Sequence, residues 1–77
     1  MNQVTIYTTP TCVWCTRAKS YLTKNQISYV EKDVSRDRAA ANEMVAKSRQ
    51  MGVPVIDING SVIIGFDQEN INRLLDI

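Results

Sequence analysis

Two cysteines, Cys12 and Cys15, are the residues of this chain whose types and spacing most clearly suggest chemistry. Two residues separate them, so on a helix their side chains would lie one turn apart. Thiols at this spacing can exchange disulfides, hold a metal or cross-link the fold. The rest of the sequence must decide among these three uses.

Ligand counting and loop length weigh against the metal site and the cross-link. A structural zinc ion normally takes four Cys or His ligands, whereas this sequence has two cysteines and no histidine. A disulfide that closes so short a loop removes little entropy from the unfolded chain and would stabilise the fold weakly. Redox exchange is therefore the leading interpretation, and we expect no bound metal.

Length and composition restrict the class of protein further. The 77 residues, 44% of them hydrophobic, predict one small domain over 1–77. A formal charge of +1 gives no electrostatic reason to expect nucleic acid or a membrane surface as a partner. The first residues lack a secretion signal, and no run approaches the roughly 18 apolar residues of a membrane span. We therefore expect a soluble, cytoplasmic monomer, in a compartment where thiols are kept reduced.

Hydrophobic periodicity around the cysteines predicts a strand, a helix and a second strand. Alternating apolar and polar residues predict a strand over residues 3–8. Apolar residues at helical spacing then predict a helix from the cysteines to about Lys24, with Thr11 as its N-cap. Residues 27–34 return to a β-prone composition. These elements fit the length of a βαβ unit, so the first two strands should be parallel.

The second half of the chain predicts a helix, a hairpin and a final helix. Ser35 or Asp37 can cap a helix that runs to about residue 47 and has a modest apolar face. Asn59–Gly60 between two β-branched runs predicts a type I′ turn joining antiparallel strands. Asp67 can cap the last helix. The order β-α-β-α-β-β-α indicates an α/β fold, a four-stranded mixed sheet with helices on both faces.

Three segments of this sequence resemble the motif regions of the glutaredoxin family. They are residues 7–15, which contain Cys-Val-Trp-Cys, residues 52–55, Gly-Val-Pro-Val, and residues 65–67, Gly-Phe-Asp. The resemblance covers essentially the whole chain and implies a thioredoxin-like fold. It also implies a thiol-disulfide oxidoreductase that uses glutathione as co-substrate and reduces glutathione mixed disulfides and protein disulfides.

The helix start suggests different roles for the two catalytic cysteines. The thiolate is the reactive form, and unpaired N–H groups at a helix N-terminus stabilise it, so that pKa values in Cys-X-X-Cys settings fall to about 3.5–7.5. Cys12 would occupy that position and attack a substrate disulfide. Cys15, one turn further along, would then attack Cys12 and release the reduced substrate.

The resemblance implies a substrate-binding set around the cysteines. Its members are Thr11, Trp14, Val53, Pro54, Gly65, Phe66, Asp67 and Gln68. The family holds the proline that matches Pro54 in cis, which orients the backbone of Val53 to hydrogen-bond an extended substrate. Free N–H groups at the start of the last helix would bind the γ-glutamyl carboxylate of glutathione, and Asp67 would bind its ammonium.

Three charged or aromatic neighbours of the cysteines have a structural interpretation as well as a functional one. Helical geometry turns Trp14 away from the apolar face of its helix, so we expect it to be partly exposed and able to anchor a partner. Arg17 and Lys19 are interpreted as solvated helix charges, with Arg17 near enough to favour a thiolate.

Two alternatives to the glutathione-dependent activity stay open. Thr9 stands where many glutaredoxins carry a lysine or arginine for the glycine carboxylate of glutathione, and Gly65–Phe66 also fits a related redoxin. That redoxin is recharged by thioredoxin reductase and donates electrons to ribonucleotide reductase. The non-enzymatic alternative is an iron-sulfur carrier in which two monomers each give Cys12 and two glutathiones complete the ligand set.

Overall fold

The computed structural model describes residues 2–77, and the elements follow the predicted order. They are β1 (Val4–Thr8), α1 (Val13–Lys24), β2 (Val30–Asp33), α2 (Arg38–Ser48), β3 (Val55–Ile58), β4 (Ser61–Ile64) and α3 (Gln68–Leu75). Within this described part of the chain, no helix has both the length and the apolar composition needed to cross a membrane.

The strands form one mixed sheet in the order β2-β1-β3-β4. The central strand β1 pairs parallel to β2 and antiparallel to β3, and β3 pairs antiparallel to β4. Asn59 and Gly60 both have positive φ, 54° and 92°, as a type I′ turn requires. The predicted parallel unit, hairpin and mixed sheet are therefore confirmed.

Helices cover both faces of the sheet, as the resemblance to a thioredoxin-like fold implied. Helices α1 and α3 pack on one face, around a buried core of Val4, Ile6, Ala18, Leu22, Ile56, Ile58, Ile63, Ile71 and Leu75. Helix α2 packs on the opposite face, where Met44 contacts a smaller cluster with Tyr7 and Val55. The side chains of β1 and β3 contribute to both clusters, because successive side chains of a strand point to opposite faces.

The predicted N-cap of α1, Thr11, is wrong by one residue. The N–H of Cys12 donates to the carbonyl of Thr9 at 3.3 Å, so residues 9–12 form a turn before the helix begins. Cys12 has extended backbone angles and is itself the N-cap, because its sulfur accepts the N–H of Cys15. The cap is therefore one of the two chemically reactive residues.

The other element boundaries show one correction and two confirmations. The second strand begins at Val30 rather than at residue 27, because the N–H of Ile27 donates to the carbonyl of Leu22 at 2.9 Å and closes the end of α1. Asp37, the second of the two candidates, caps α2. Asp67 caps α3 as predicted.

A polar network that the sequence did not reveal joins α2 to the sheet. The hydroxyl of the buried Tyr7 donates to the carboxylate of Glu43 and accepts from Lys47 Nζ at 3.0 Å. Lys47 also contacts Asp57 at 2.7 Å, and Lys32 contacts Glu43 at 3.0 Å. Because α2 buries only Ala40 and Met44 as core residues, these bonds add to the attachment that its apolar face provides.

The network also shifts the ionisation of its members. The hydrogen bond from Tyr7 and then that from Lys32 lower the pKa of Glu43 to about 2. Burial and the hydrogen bond to Glu43 raise the pKa of Tyr7. The hydrogen bond to Asp57, followed by that to Tyr7, raises the pKa of Lys47. Around neutral pH the phenol is therefore neutral between a carboxylate and an ammonium.

Tyr7→Phe should lower the free energy of unfolding by about 1.5 kcal/mol, since it removes a buried hydroxyl that is hydrogen-bonded to two charged groups. Urea denaturation at neutral pH measures the change. Tyr29→Phe is the matched control, because Tyr29 is half-buried and takes no part in the hydrogen bonds of this network. Equal stability losses in the two variants would contradict a role for the network.

Glu43 should contribute to acid sensitivity. A carboxyl whose pKa is lowered on folding stabilises the protein above its unfolded value, near 4.5, and this contribution is lost as the pH falls toward about 2. We expect about 1 kcal/mol, since the side chain is 38% exposed and solvent screens the pairs. Glu43→Gln should reduce the fall in urea-unfolding free energy between pH 4.5 and pH 2. The control is Glu69→Gln, at an exposed position on α3. If Glu43→Gln left the fall in unfolding free energy unchanged, the role of Glu43 in acid sensitivity would be contradicted.

Candidate dithiol active site

The two cysteines lie at the N-terminus of α1, directly after the central strand. Cys12 and Cys15 are paired as a disulfide, and their Cα atoms are 5.2 Å apart. The N–H of Cys15 points at Cys12 Sγ at a distance of 3.1 Å. The positive end of the α1 dipole is also directed toward this sulfur. The helix start therefore favours a negative charge on Cys12 when the disulfide is reduced.

Solvent reaches the two cysteines unequally. Cys15 has no exposed surface, because it shares the buried stripe of α1 with Ala18 and Leu22. Cys12 precedes the first helical residue and is partly exposed. An incoming disulfide can therefore contact the first sulfur, whereas the second can be reached mainly through the first.

A groove of about 300 Å³ adjoins this helix start and brings together most of the predicted substrate-binding set. Its lining residues are Trp14, Val53, Pro54, Gly65 and Phe66. The Val53–Pro54 bond is cis, as the resemblance implied. The N–H of Gly65 donates to the carbonyl of Pro54 at 2.8 Å and links the end of the hairpin to the proline segment.

Three predicted members of the set lie outside the lining of the groove. Thr11 is exposed in the turn that precedes α1. Asp67 caps α3, and its two oxygens accept from the N–H and the side-chain amide of Asn70 at 3.2 and 2.7 Å. Gln68 is the exposed first residue of that helix. The carboxylate of Asp67 is thus already engaged by its own helix.

The neighbours of the cysteines on α1 are arranged partly as expected. Trp14 is 56% exposed, which confirms its predicted position. Arg17 is not simply solvated, because its guanidinium carbon lies 4.9 Å from the centre of the Trp14 ring. Lys19 forms an ion pair with Glu31 at 2.8 Å. The stacking of Arg17 on Trp14 was missed, although the i, i+3 spacing of the two residues was a usable signal.

The groove is apolar and carries no charged side chain in its lining. A larger cavity, of about 450 Å³, lies between the first residues of β1 and β2, at the opposite end of these strands from the cysteines. Within residues 2–77, no group of three or more His, Cys, Asp or Glu side chains is arranged to hold a metal ion. The dithiol and its groove are therefore the candidate active site.

A helix that begins at a Cys-X-X-Cys pair after the central strand of this β-α-β-α-β-β-α fold defines a thioredoxin-fold dithiol protein. A family model described as Glutaredoxin matches residues 4–63. The chain belongs to the glutaredoxin family.

Similar proteins agree with this membership. A protein of Clostridium pasteurianum, described as an uncharacterized glutaredoxin-like 8.6 kDa protein in a rubredoxin operon, is 42% identical over 73 residues, which cover 95% of this chain and 97% of that one. Glutaredoxin 3 of Escherichia coli is 37% identical over 67 residues, 87% of this chain and 81% of its own. The solved structure of the glutaredoxin-like NrdH-redoxin from Escherichia coli has a TM-score of 0.84 at 29% identity, with 94% and 93% covered.

After full reduction, iodoacetamide at mildly acidic pH should alkylate Cys12 at least about tenfold faster than Cys15, because Cys12 is partly exposed at the helix start and Cys15 is buried. Peptide mapping of time points measures the two rates. Unfolding in urea is the control and should remove the difference. Equal rates in the folded protein would contradict the asymmetry of the site.

Proposed function

We propose that this protein is a dithiol oxidoreductase that reduces glutathione mixed disulfides and protein disulfides through Cys12 and Cys15. The observation that carries the proposal is the asymmetry of the pair: a partly exposed cysteine that caps α1, and a buried cysteine one turn later. Family membership supports the same reaction class. The cycle fits a reducing, cytoplasmic compartment, where the Cys12–Cys15 disulfide can be reduced again to the dithiol.

The first step is attack by the Cys12 thiolate on a substrate disulfide R–S–S–R′. A bond forms between Cys12 and one substrate sulfur, the substrate S–S bond breaks, and the other sulfur leaves as a thiolate that takes up a proton. The N–H of Cys15 is directed at Cys12 Sγ and favours the charge that this attack requires.

The second step uses Cys15. Its thiol loses a proton and attacks Cys12, which forms the Cys12–Cys15 disulfide and releases the remaining substrate sulfur as a thiol. The substrate gains two electrons and two protons, which the protein dithiol loses. In the disulfide form the Cα separation of 5.2 Å lies within the usual range for such a bond.

The groove supports an extended, peptide-like substrate. The backbone N–H and carbonyl of Val53 have no hydrogen-bond partner within residues 2–77, so they are available to a bound chain. Glutathione, as co-substrate, would place its γ-glutamyl carboxylate near the N–H groups that open α3. Its ammonium would lie beside Asp67, whose oxygens retain lone pairs after bonding to Asn70.

Substitution of each cysteine tests the cycle. Cys12→Ser should reduce disulfide exchange to background, because the nucleophile is lost. Cys15→Ser should accumulate a mixed disulfide with a protein substrate, visible by mass spectrometry as a covalent adduct that dithiothreitol releases. Full activity of the first variant, or no adduct with the second, would contradict the assigned roles.

A second candidate is a redoxin that thioredoxin reductase recharges and that donates electrons to ribonucleotide reductase. The structure of NrdH-redoxin, which this chain resembles, belongs to a protein described as glutaredoxin-like with a thioredoxin-like activity profile. The absence of charged side chains from the lining of the groove also favours this candidate. A cationic contact for the glycine carboxylate of glutathione would otherwise be expected there.

The electron donor separates the two candidates. Steady-state reduction of a protein disulfide should be measured with glutathione plus glutathione reductase, and in parallel with thioredoxin reductase. Faster turnover with glutathione supports the first candidate. Faster turnover with thioredoxin reductase supports the second, while the exchange chemistry of the two cysteines is the same in both.

A further inference from the structure

The walls of the groove are held in place unequally. Phe66 packs edge-on against Tyr21, with ring centres 5.7 Å apart, and borders the main core. Pro54 is buried, and Gly65 is hydrogen-bonded to it. Trp14 forms the opposite wall but is 56% exposed and belongs to neither core cluster. Core packing therefore fixes one wall and leaves the indole to be held by something else.

Arg17 makes the contact that can hold the indole. Its guanidinium carbon is 4.9 Å from the ring centre, inside the range of a cation–π interaction. The two residues are three apart on α1, so the helix backbone sets their relative position. Arg17 forms no ion pair or side-chain hydrogen bond within residues 2–77, unlike Lys19, which is paired with Glu31. Its guanidinium is thus not committed elsewhere.

We propose that Arg17 is a positioning residue that holds the Trp14 ring as a wall of the substrate groove. This inference rests on the proposed function only where it concerns substrate affinity. The guanidinium stacks on the indole, limits its rotamers and keeps the groove open toward Cys12. An unrestrained indole would sample other rotamers, and the bound substrate would have to select the open one.

The expected effect on affinity follows from the strength of the contact. An exposed cation–π pair of this kind changes the ratio of the open Trp14 rotamer to the other rotamers by about two- to fivefold. Arg17→Gln should therefore raise KM for a protein disulfide about two- to fivefold and leave kcat nearly unchanged. Arg17→Lys keeps the charge and should recover part of the loss. Lys24→Gln, at an exposed cation in the last turn of α1, is the control and should change neither constant.

Fluorescence tests the positioning directly, since Trp14 is the only tryptophan of the chain. In fully reduced protein, Arg17→Gln should increase acrylamide quenching and lower steady-state anisotropy, and Arg17→Lys should lie between this variant and wild type. Lys24→Gln should match wild type. Unchanged quenching and anisotropy in Arg17→Gln would overturn the proposal. This measurement needs no substrate, so its outcome is independent of the proposed function.

A double-mutant cycle separates positioning from direct contact with the substrate. If Arg17 acts through the indole, Arg17→Gln should have no further effect on KM in a Trp14→Ala background. If the same two- to fivefold rise persists there, Arg17 contacts the substrate itself and the positioning role is refuted. Circular dichroism of all variants checks that α1 stays folded.

Discussion

The burial of one face of α1 against the sheet is the interaction on which the site depends. Ala18 and Leu22 must face the core, and the 3.6-residue period of a helix then places Cys15 on the same stripe. Cys12 lies just before the first turn and escapes that burial. The packing that stabilises the domain therefore also makes the two sulfurs inequivalent, which the proposed exchange cycle requires.

The strand order brings distant segments of the chain to these sulfurs. Because β3 lies beside β1 with Tyr7 opposite Val55, the cis-proline segment before β3 reaches the end of β1 from which α1 begins. The hydrogen bond from Gly65 to Pro54 then adds the turn between β4 and α3. One groove thus receives residues from the first turn of α1 and from two loops, which the pairing of β1 with β3 and the hydrogen bond from Gly65 to Pro54 bring together.

Local signals predicted most of the fold and part of the site. Alternation, the Asn59–Gly60 turn and the caps Asp37 and Asp67 depend on near neighbours, so the sequence was enough to find them. The cap of α1 was misassigned because a cysteine sulfur rarely takes the place of a hydroxyl, and the preference for threonine decided the prediction. The groove residues Val53 and Phe66 were predicted through the family resemblance, not from residue spacing.

The network around Tyr7 shows why the other contacts could not be predicted from the sequence. Glu43 and Lys47 resemble ordinary surface charges of a helix with a weak apolar face, and only the position of α2 on the sheet brings them to a buried phenol. The helix that they attach ends at Ser48, with Arg49 as its C-cap, and leads directly into the segment before the cis-proline. In that segment the side chain of Gln50 hydrogen-bonds both the N–H and the carbonyl of Gly52. Val53 also packs against the cluster of Tyr7 and Met44 on the face opposite α1, so contacts on that face help to fix the proline wall of the groove.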